Sequence, residues 1–264
     1  MLAFDFHIHT AESPDSKIKI IDIINKCNKY GLNAVAITDH NKISKEVLKL
    51  NLKNSKIPIN IIVGEEISTD KGEIIGLFLK KEIKPGKAEE VVEEIKSQDA
   101  LVYLPHPFKR STIVKYSEIV KEVDIVEVWN CRTSYEQNYK ALLFAQEKNI
   151  LFSCGSDAHF AFEIGRCKNI VEGIPIKEKE LEKETLIEML KKYRCIMKGI
   201  NKNYIIYESI SQFLKSFKQR NLKSFKHALL FPIFEFLLGR SRAFKIDIEN
   251  SSLCKKINIL PLEQ

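Results

Sequence analysis

The stretch Ser-Cys-Gly-Ser-Asp-Ala-His, residues 153–159, decides which fold this chain is expected to adopt. An apolar run, residues 150–152, leads into it and ends at small residues. This pattern is typical of a buried strand that opens into a loop at its carboxyl end. Asp157 and His159 are two residues apart, so on an extended backbone their side chains share a face. A carboxylate and an imidazole on one face are ingredients of a metal site.

The same pattern recurs along the chain, with short apolar runs that end in polar residues and alternate with runs of helical spacing. Strands are predicted over residues 1–6, 33–37, 59–63, 73–79, 100–104, 125–129, 150–153 and 170–171. Helices are predicted over residues 18–30, 44–52, 87–96, 113–121, 135–147 and 180–192. Such alternation predicts parallel β-α-β units, in which active groups gather at the carboxyl ends of the strands.

Histidines are concentrated at these predicted strand ends. Five of the six histidines in the chain occur there, together with two carboxylates: His7, His9, His40, His106, His159, Glu65 and Asp157. Histidines scattered as ordinary surface or core residues would not show this coincidence. The pattern therefore predicts one metal site assembled from several strand ends.

Composition restricts the class of protein. The 264 residues are 44% hydrophobic, which suits a single α/β barrel. The six cysteines form no C-x-x-C pair, and Asp5 and His7 interrupt any apolar leader, so we expect a reduced, cytoplasmic protein without an export signal. The longest nearly apolar run, residues 228–238, is too short to span a bilayer and contains Pro232 and Glu235.

Six short motifs, in this order, resemble those of the PHP (polymerase and histidinol phosphatase) domain family over roughly residues 1 to 200. They are His-x-His-Thr at 7–10, Ser-x-Asp-Ser at 13–16, Ile-Thr-Asp-His at 37–40, Gly-Glu-Glu at 64–66, Pro-His-Pro at 105–107 and Gly-Ser-Asp-Ala-His at 155–159. The resemblance implies a distorted (β/α)7 TIM-like barrel that holds two or three divalent metal ions, Mn, Fe or Zn, at its mouth. Most members of the family are phosphoesterases.

The resemblance also implies a set of ligands. His7, His9 and Asp157 would hold one metal, and Glu65 would bridge it to a second metal that His106 also binds. The third metal would be held by three further residues: Asp15, His40 and His159. Asp15 could instead cap the helix that follows it. Glu73 stands where many relatives have a histidine, so either Glu73 replaces that ligand or the enzyme works with two metals.

A centre of this kind supplies a nucleophilic water and holds the phosphoryl oxygens. Glu65, as the bridging carboxylate, Asp39 and His159 are the candidate catalytic residues. Asp39 and His159 could each transfer the proton, and the sequence does not choose between them. Asp39 could instead accept a hydrogen bond that orients a ligating histidine.

A phosphate substrate requires cations beyond the metals. Arg132, just past a predicted strand end, is the first candidate because a guanidinium holds phosphate through two hydrogen bonds. Arg110, next to Lys109, is the second, and Arg166 is the third. Asn130 is a further candidate for contact with the substrate, although it could serve only the loop backbone.

Residues 201–264 are predicted to form a basic, amphipathic, helical extension after a domain at 1–200. Residues 201–245 contain nine Lys or Arg and two Glu, so this part alone carries a formal charge of +7. Its phenylalanines could pack on the barrel and leave the lysines in water. Alternatively it could bind nucleic-acid backbone or, less favoured, an anionic membrane surface.

The expected function is metal-dependent hydrolysis of a phosphate ester, with a small phosphorylated metabolite or a nucleotide as substrate. One alternative is an exonuclease that acts on single-stranded RNA or DNA ends. The other is a non-catalytic metal-binding module for a partner protein. The sequence leaves the oligomeric state open.

Overall fold

The computed structural model describes residues 1–52, 59–172, 181–192, 195–200, 204–219, 244–251 and 254–261. The described strands are β1 (Leu2–Ile8), β2 (Ala34–Ile37), β3 (Asn60–Thr69), β4 (Gly72–Leu77), β5 (Leu101–Leu104), β6 (Ile125–Asn130), β7 (Leu151–Gly155), β8 (Cys167–Val171), β9 (Cys195–Ile200), β10 (Phe244–Ser251) and β11 (Cys254–Pro261). The described helices are α1 (Ile20–Tyr30), α2 (Lys45–Leu52), α3 (Ala88–Ser97), α4 (Ser117–Val120), α5 (Tyr135–Lys148), α6 (Lys183–Lys192) and α7 (Tyr204–Gln219).

The strands form one sheet that curls into a nearly closed barrel, as the sequence predicted. Its strand order is β11-β10-β9-β8-β1-β2-β3-β4-β5-β6-β7. The curl brings the end of β7 back to β1, where the backbone N–H of His9 donates to the carbonyl of Ala158 over 2.9 Å. The side chain of Asn169 on β8 bonds to both Phe4 and Cys154 and so joins β8, β1 and β7.

The sheet is mixed, whereas the alternation of strands and helices in the sequence predicted parallel β-α-β units. Pairs β1–β2, β2–β3, β5–β6 and β6–β7 are parallel. A hairpin around residues 70–71 makes β3 and β4 antiparallel, and β4 is also antiparallel to β5. The four strands from β8 to β11 follow β1 in antiparallel order. The short connections β3–β4 and β10–β11 allow only antiparallel neighbours, because a parallel pair needs a crossover of a dozen or more residues. The other antiparallel pairs are joined by longer segments, so their direction is not set by connection length.

The C-terminal extension is only partly helical. Helix α7 fits the predicted helix, but residues 244–261 form the strands β10 and β11, which continue the sheet from β9. Their sequence alternates apolar and polar residues, as strands do. The middle of the predicted basic segment, residues 220–243, lies outside the described residues. The division of the chain at residue 200 stays a prediction.

The central strands are buried on both faces, because side chains fill the barrel inside and helices cover it outside. Every residue of β1, β2, β5 and β6 is buried. Helix α1 buries Ile20, Ile23 and Cys27 and ends at Gly31, which has a left-handed φ of 66°. This packing holds the carboxyl ends of the parallel strands at one end of the barrel, where their polar residues meet.

Candidate metal centre

The predicted strand-end residues converge on one cluster at this end of the barrel. Five of the six histidines are in it, joined by the carboxylates of Asp15, Glu66, Glu73 and Asp157. All are buried except His40, which is 12% exposed, and Glu73, which is 35% exposed. Asp15 is free to join the cluster because Lys19, and not Asp15, caps α1.

The first group surrounds Nε2 of His7 and Nε2 of His9, which lie 3.1 Å apart. Oε2 of Glu66 lies 3.5 Å from the first nitrogen and 3.3 Å from the second. Oδ1 of Asp157 lies 3.6 and 3.3 Å from the same two atoms. Ligand atoms held about 2.1 Å from one ion at tetrahedral angles stand about 3.4 Å apart, so each carboxylate is spaced to share a divalent ion with the two imidazoles.

The second group is formed by Asp15, His40 and His159. Nε2 of His40 lies 3.4 Å from Oδ2 of Asp15, and Nε2 of His159 lies 3.5 Å from Oδ1. That Oδ1 atom is buried and accepts no hydrogen bond from any residue that the structure describes. A buried carboxylate oxygen facing two imidazoles without such a bond suits a metal ion as its missing partner.

The third group contains His106, Glu66 and Glu73. Oε1 of Glu66 lies 3.1 Å from Nε2 of His106, while its Oε2 lies 3.1 Å from Nδ1 of His40. Glu73 places one oxygen 3.7 Å from His40 and the other 3.8 Å from His106. Glu66 thus faces all three groups and has the position of a bridging ligand.

Glu66, and not the expected Glu65, faces the histidines. Oε2 of Glu65 accepts a hydrogen bond from the backbone N–H of Ile83 over 2.9 Å, away from the histidines. Burial raises the pKa of Glu65 to about 7. Successive side chains of a strand point to opposite faces, so only one of two adjacent glutamates can reach the cluster.

Three of the clustered imidazoles are held through Nδ1, which leaves Nε2 to face the cluster. His7 donates to Oε1 of Glu127 over 3.0 Å, and His159 to the carbonyl oxygen of Asp157 over 2.8 Å. His9 donates to Oγ of Ser13 over 3.3 Å. Such partners fix the tautomer and the ring orientation of a metal ligand.

Glu127 is a site residue that we did not predict from the sequence. Its carboxylate accepts hydrogen bonds from His7, from the hydroxyl of Tyr103, from the backbone N–H of His106 and from the amide of Asn130. A single carboxylate inside the apolar strand 125–129 was the signal that could have identified it. A buried charge in such a strand needs several partners.

Asp39 lies behind the cluster and does not face its cavity. Its two oxygens accept hydrogen bonds from the backbone and hydroxyl of Thr10, at 2.7 and 2.6 Å, and from Ser13 at 2.5 Å. Ser13 in turn holds His9, so Asp39 has the orienting position that was the alternative to proton transfer. Burial raises the pKa of Asp39.

The charges of the cluster favour a cation. Burial alone would raise the pKa values of Glu66 and Asp157, but His7 and other neighbours hold both well below the usual range. Burial, with His159 and His40 nearby, lowers the pKa of His9 to about 3, so this imidazole is neutral and its Nε2 has a lone pair to offer. Ionised carboxylates and a neutral imidazole are the forms that bind metals.

Arg132 does not reach the cavity, which corrects its expected role in phosphate binding. Its guanidinium is fully buried and pairs with Glu163 at 3.3 Å and Glu208 at 3.5 Å. It also donates to Oγ of Ser211. The sequence suggested an open position because Arg132 follows a strand end, but α7 folds over that loop.

Asn130 is also not free to contact a substrate. Its amide N–H groups donate to Glu127 at 2.9 Å and to Asp157 at 3.2 Å. Its carbonyl oxygen accepts from the backbone N–H of Arg132 and from the hydroxyl of Thr133. Asn130 therefore holds the carboxylates of the site in place.

Two other predicted cations differ in position. Arg110 is half exposed and lines the cavity, with its guanidinium 3.4 Å from Glu208. Lys109 beside it also lines the cavity, 3.8 Å from Oδ2 of Asp157. Arg166 instead stacks on the ring of Tyr207, 5.0 Å from its centre, and is not part of the cavity lining.

The backbone is unusual at two of the ligands. His106 has a φ of 26° and Asp157 a φ of 52°, both in the left-handed region that most side chains avoid. Strain of this kind persists where the surrounding structure holds it, often at functional sites. Gly155 is required for close approach, because a Cβ there would stand 2.0 Å from Glu127 and 2.7 Å from His7.

The chain belongs to the PHP domain family, whose model matches residues 5–222. Family membership and the histidine–carboxylate cluster together identify a metal-dependent hydrolase. The chain is 39% identical over 173 residues to MJ0417, an uncharacterized protein of Methanocaldococcus jannaschii, covering 61% of this chain and 67% of that one.

Two solved structures share the fold at low sequence identity. A candidate metal-dependent phosphoesterase from Bifidobacterium adolescentis has a TM-score of 0.51 at 16% identity, covering 71% of this chain and 95% of its own. PsfC from Pseudomonas syringae has a TM-score of 0.55 at 15% identity, with coverages of 70% and 87%. None of the described helices is long and apolar enough to cross a membrane.

Proposed function

We propose that this chain hydrolyses phosphate esters, with a small phosphorylated metabolite or a nucleotide as substrate and a centre of two or three divalent metal ions. The observation that carries the proposal is the cluster itself. Eight buried or nearly buried side chains cluster at the mouth of the barrel, and each has a nitrogen or oxygen atom 3.1 to 3.6 Å from one on a neighbour in the cluster.

The ligands divide into three groups. His7, His9, Glu66 and Asp157 would hold one ion, and Asp15, His40 and His159 another. His106 and Glu73, with the second oxygen of Glu66, would complete a third position. Bound there, the ions would activate a water at neutral pH and neutralise the phosphoryl oxygens, and Mn, Fe and Zn all suit the nitrogen and oxygen donors.

The chain's own residues bind, orient and supply protons. Glu127, Ser13 and the carbonyl of Asp157 hold the imidazoles in one orientation. His159 stays the candidate for proton transfer in a centre that leaves the group of Asp15, His40 and His159 without an ion, because its Nε2 then faces the cavity beside Asp15 while Asp39 is turned away. Lys109 and Arg110 supply positive charge at the cavity wall.

An exonuclease acting on single-stranded RNA or DNA ends is the second candidate. It is supported by the +7 charge of residues 201–245, part of which α7 brings to the cavity. A non-catalytic metal-binding module remains the third. The cytoplasmic location stays a prediction, with which the free, buried thiols of Cys27, Cys131, Cys154 and Cys167 agree.

The test is metal content joined to a hydrolysis screen. Purified protein is stripped with a chelator, reconstituted with Mn, Fe or Zn, and assayed on phosphomonoesters, nucleoside bisphosphates and short oligonucleotides. We expect two to three ions per chain and turnover that disappears with the metal and returns with it. Turnover of oligonucleotides alone would favour the nuclease. No turnover after reconstitution would favour the binding module.

A further inference from the structure

Helix α7 lies across the mouth of the barrel and is anchored at both ends. Near the start of α7, Glu208 forms ion pairs with Lys109 at 3.3 Å, Arg110 at 3.4 Å and Arg132 at 3.5 Å. These cations lie on the loops that follow β5 and β6. The anchor is therefore one buried carboxylate held by three cations from the barrel.

The far end of α7 reaches the loop that follows β1. There Nζ of Lys218 donates to the carbonyl oxygens of Ser13 at 3.2 Å and Ser16 at 2.9 Å. The helix thus spans the mouth from the loops after β5 and β6 to the loop after β1. Between the anchors it presents Ser211, Gln212 and Lys215 to the cavity.

The space left under α7 is small. The cavity has a volume of about 60 Å³, whereas pockets that hold a whole small ligand measure roughly 300–1,000 Å³. A cavity needs about 10–15 Å³ measured in this way to hold one water, so this one holds a few waters, or one phosphoryl group, beside the ligands. A phosphodiester, with a chain continuing on both sides of phosphorus, would have to displace α7.

Two lysines stand over this space from opposite walls. Nζ of Lys109 lies 3.8 Å from Oδ2 of Asp157, and Nζ of Lys215 lies 3.8 Å from Oδ2 of Asp15. At 3.8 Å each ammonium is attracted to a ligand carboxylate without being hydrogen-bonded to it. Each can therefore turn to a phosphoryl oxygen without breaking a hydrogen bond to a metal ligand.

The charge of the lining suits a dianion. With neutral histidines, the lining carries two net negative charges. Five carboxylates and three cations contribute: Asp15, Glu66, Glu73, Asp157 and Glu208 against Lys109, Arg110 and Lys215. Two divalent ions would turn this into two net positive charges. A phosphate monoester carries about −1.5 to −2 at pH 7, and a diester has only one charge to offer.

We propose that α7 selects terminal phosphate monoesters, with Lys109 and Lys215 binding the phosphoryl oxygens and Glu208 positioning both Lys109 and the helix. The selection between ester classes rests on the proposed function, whereas binding of a phosphoryl group by the two lysines does not.

The first measurement uses inorganic phosphate as the probe. Its binding to the Mn-reconstituted protein is followed by calorimetry in the wild type, Lys109→Ala, Lys215→Ala and the control Lys148→Ala. Lys148 pairs with the exposed Glu147 and lies outside the cavity lining. We expect each cavity variant to weaken phosphate binding about tenfold, as for a lost charge-assisted hydrogen bond, and the control to be unchanged. Equal binding by all four proteins would overturn the subsite.

The second measurement compares two esters with the same leaving group, p-nitrophenyl phosphate and bis-p-nitrophenyl phosphate. We expect the wild type to prefer the monoester, and Glu208→Gln to raise the relative rate on the diester at least fivefold because it loosens one anchor. Lys218→Ala removes the contacts at the far end of α7, and we expect the same rise in relative diester rate. This second variant provides the test if Glu208→Gln folds poorly. Phe217→Ser is the control on the same helix, because that ring is 79% exposed.

The outcomes separate the two proposals. Phosphate binding that depends on Lys215, without hydrolysis of any ester, would refute the proposed function and keep the subsite. If the protein hydrolyses esters but its phosphate affinity is the same in Lys109→Ala and Lys215→Ala as in the wild type, the proposed function stands and the subsite is refuted. A ratio of diester to monoester turnover that stays the same in both loosened variants would refute selection by α7.

Discussion

The mouth of the barrel and helix α7 face each other across one cavity but are built differently. At the mouth, short buried side chains come from several strand ends, and most are held by a second buried group such as Glu127 or Ser13. On α7, one helix reaches the barrel through long charged side chains such as Glu208 and Lys218. Rigidly held side chains suit catalysis, because catalysis requires the reacting groups to stay in fixed positions. Long ion-paired side chains suit the control of substrate access to the cavity.

The largest expected effect is the loss of a ligand carboxylate at the mouth. Glu66→Gln and Asp157→Asn should each lower kcat/KM by about 10³ or more, because each removes a negative charge shared by two imidazoles. Steady-state kinetics and metal content per chain measure the effect. Circular dichroism should show an intact fold. Near-normal activity in either variant would mean that the cluster is not the catalytic centre.

The next effect is on stability and concerns the junction between mouth and helix. Arg132→Met should lower the free energy of unfolding by about 3–5 kcal/mol, because it leaves Glu163 and Glu208 buried without their shared cation. Arg110→Met is the matched control, since Arg110 pairs with the same glutamate but is half exposed and should cost less than about 1 kcal/mol. Urea denaturation measures both. Equal losses would show that Arg132 is no special anchor.

A smaller effect is expected behind the ligands. Glu127→Gln should weaken metal binding about 10–100-fold, because a neutral amide holds the ring of His7 less well than a carboxylate. Titration against a competing chelator measures the affinity. The control is Glu122→Gln, which changes an exposed glutamate that pairs with Lys96. Identical affinities in the two variants would contradict the orienting role of Glu127.

The smallest effect on catalysis is expected at Glu65, beside the bridging ligand. Glu65→Gln should leave kcat within about threefold of the wild type, because this side chain points away from the cluster. Burial raises its pKa to about 7, above the ordinary value of 4.5. The folded state therefore binds the proton more tightly than the unfolded state, and wild-type stability falls as the pH rises from about 4.5 through 7.

Glutamine cannot ionise, so Glu65→Gln should be more stable than the wild type at pH 8 and differ less from it at pH 5. Urea midpoints at the two pH values measure the difference. A variant that loses activity as Glu66→Gln does would restore Glu65 as the bridging ligand. The pair of adjacent substitutions therefore tests which face of β3 lines the cavity.

Much of the fold was predictable because each βα unit carries its own signals. The apolar runs and the helical spacing located nearly every element through α6, including β4. The antiparallel part of the sheet from β8 to β11 was not predicted, since β9 pairs with β8 and with β10 across long connections and only β10 and β11 form a local hairpin. Pairing partners depend on tertiary packing, and strand propensity depends strongly on context.

The site was predictable from the sequence where a residue type that binds metal directly follows a predicted strand end. His7, His9, His40, His106, His159 and Asp157 follow strand ends and meet in the structure, with Asp15 joining them from a loop. The sequence could not choose between Glu65 and Glu66, because a shift of one residue turns the other face of the strand to the cavity. Nor could it show that α7 buries Arg132, since that contact joins residues 79 apart in the chain.

The sequence by itself determined the kinds of ligand and the strand ends that deliver them, because both are local properties of short segments. Only the tertiary structure decided which glutamate faces the cluster, which cations reach the cavity, and how much space α7 leaves above the cluster. Those features depend on register and on contacts between segments far apart in the chain, and neither is encoded in any one stretch of residues.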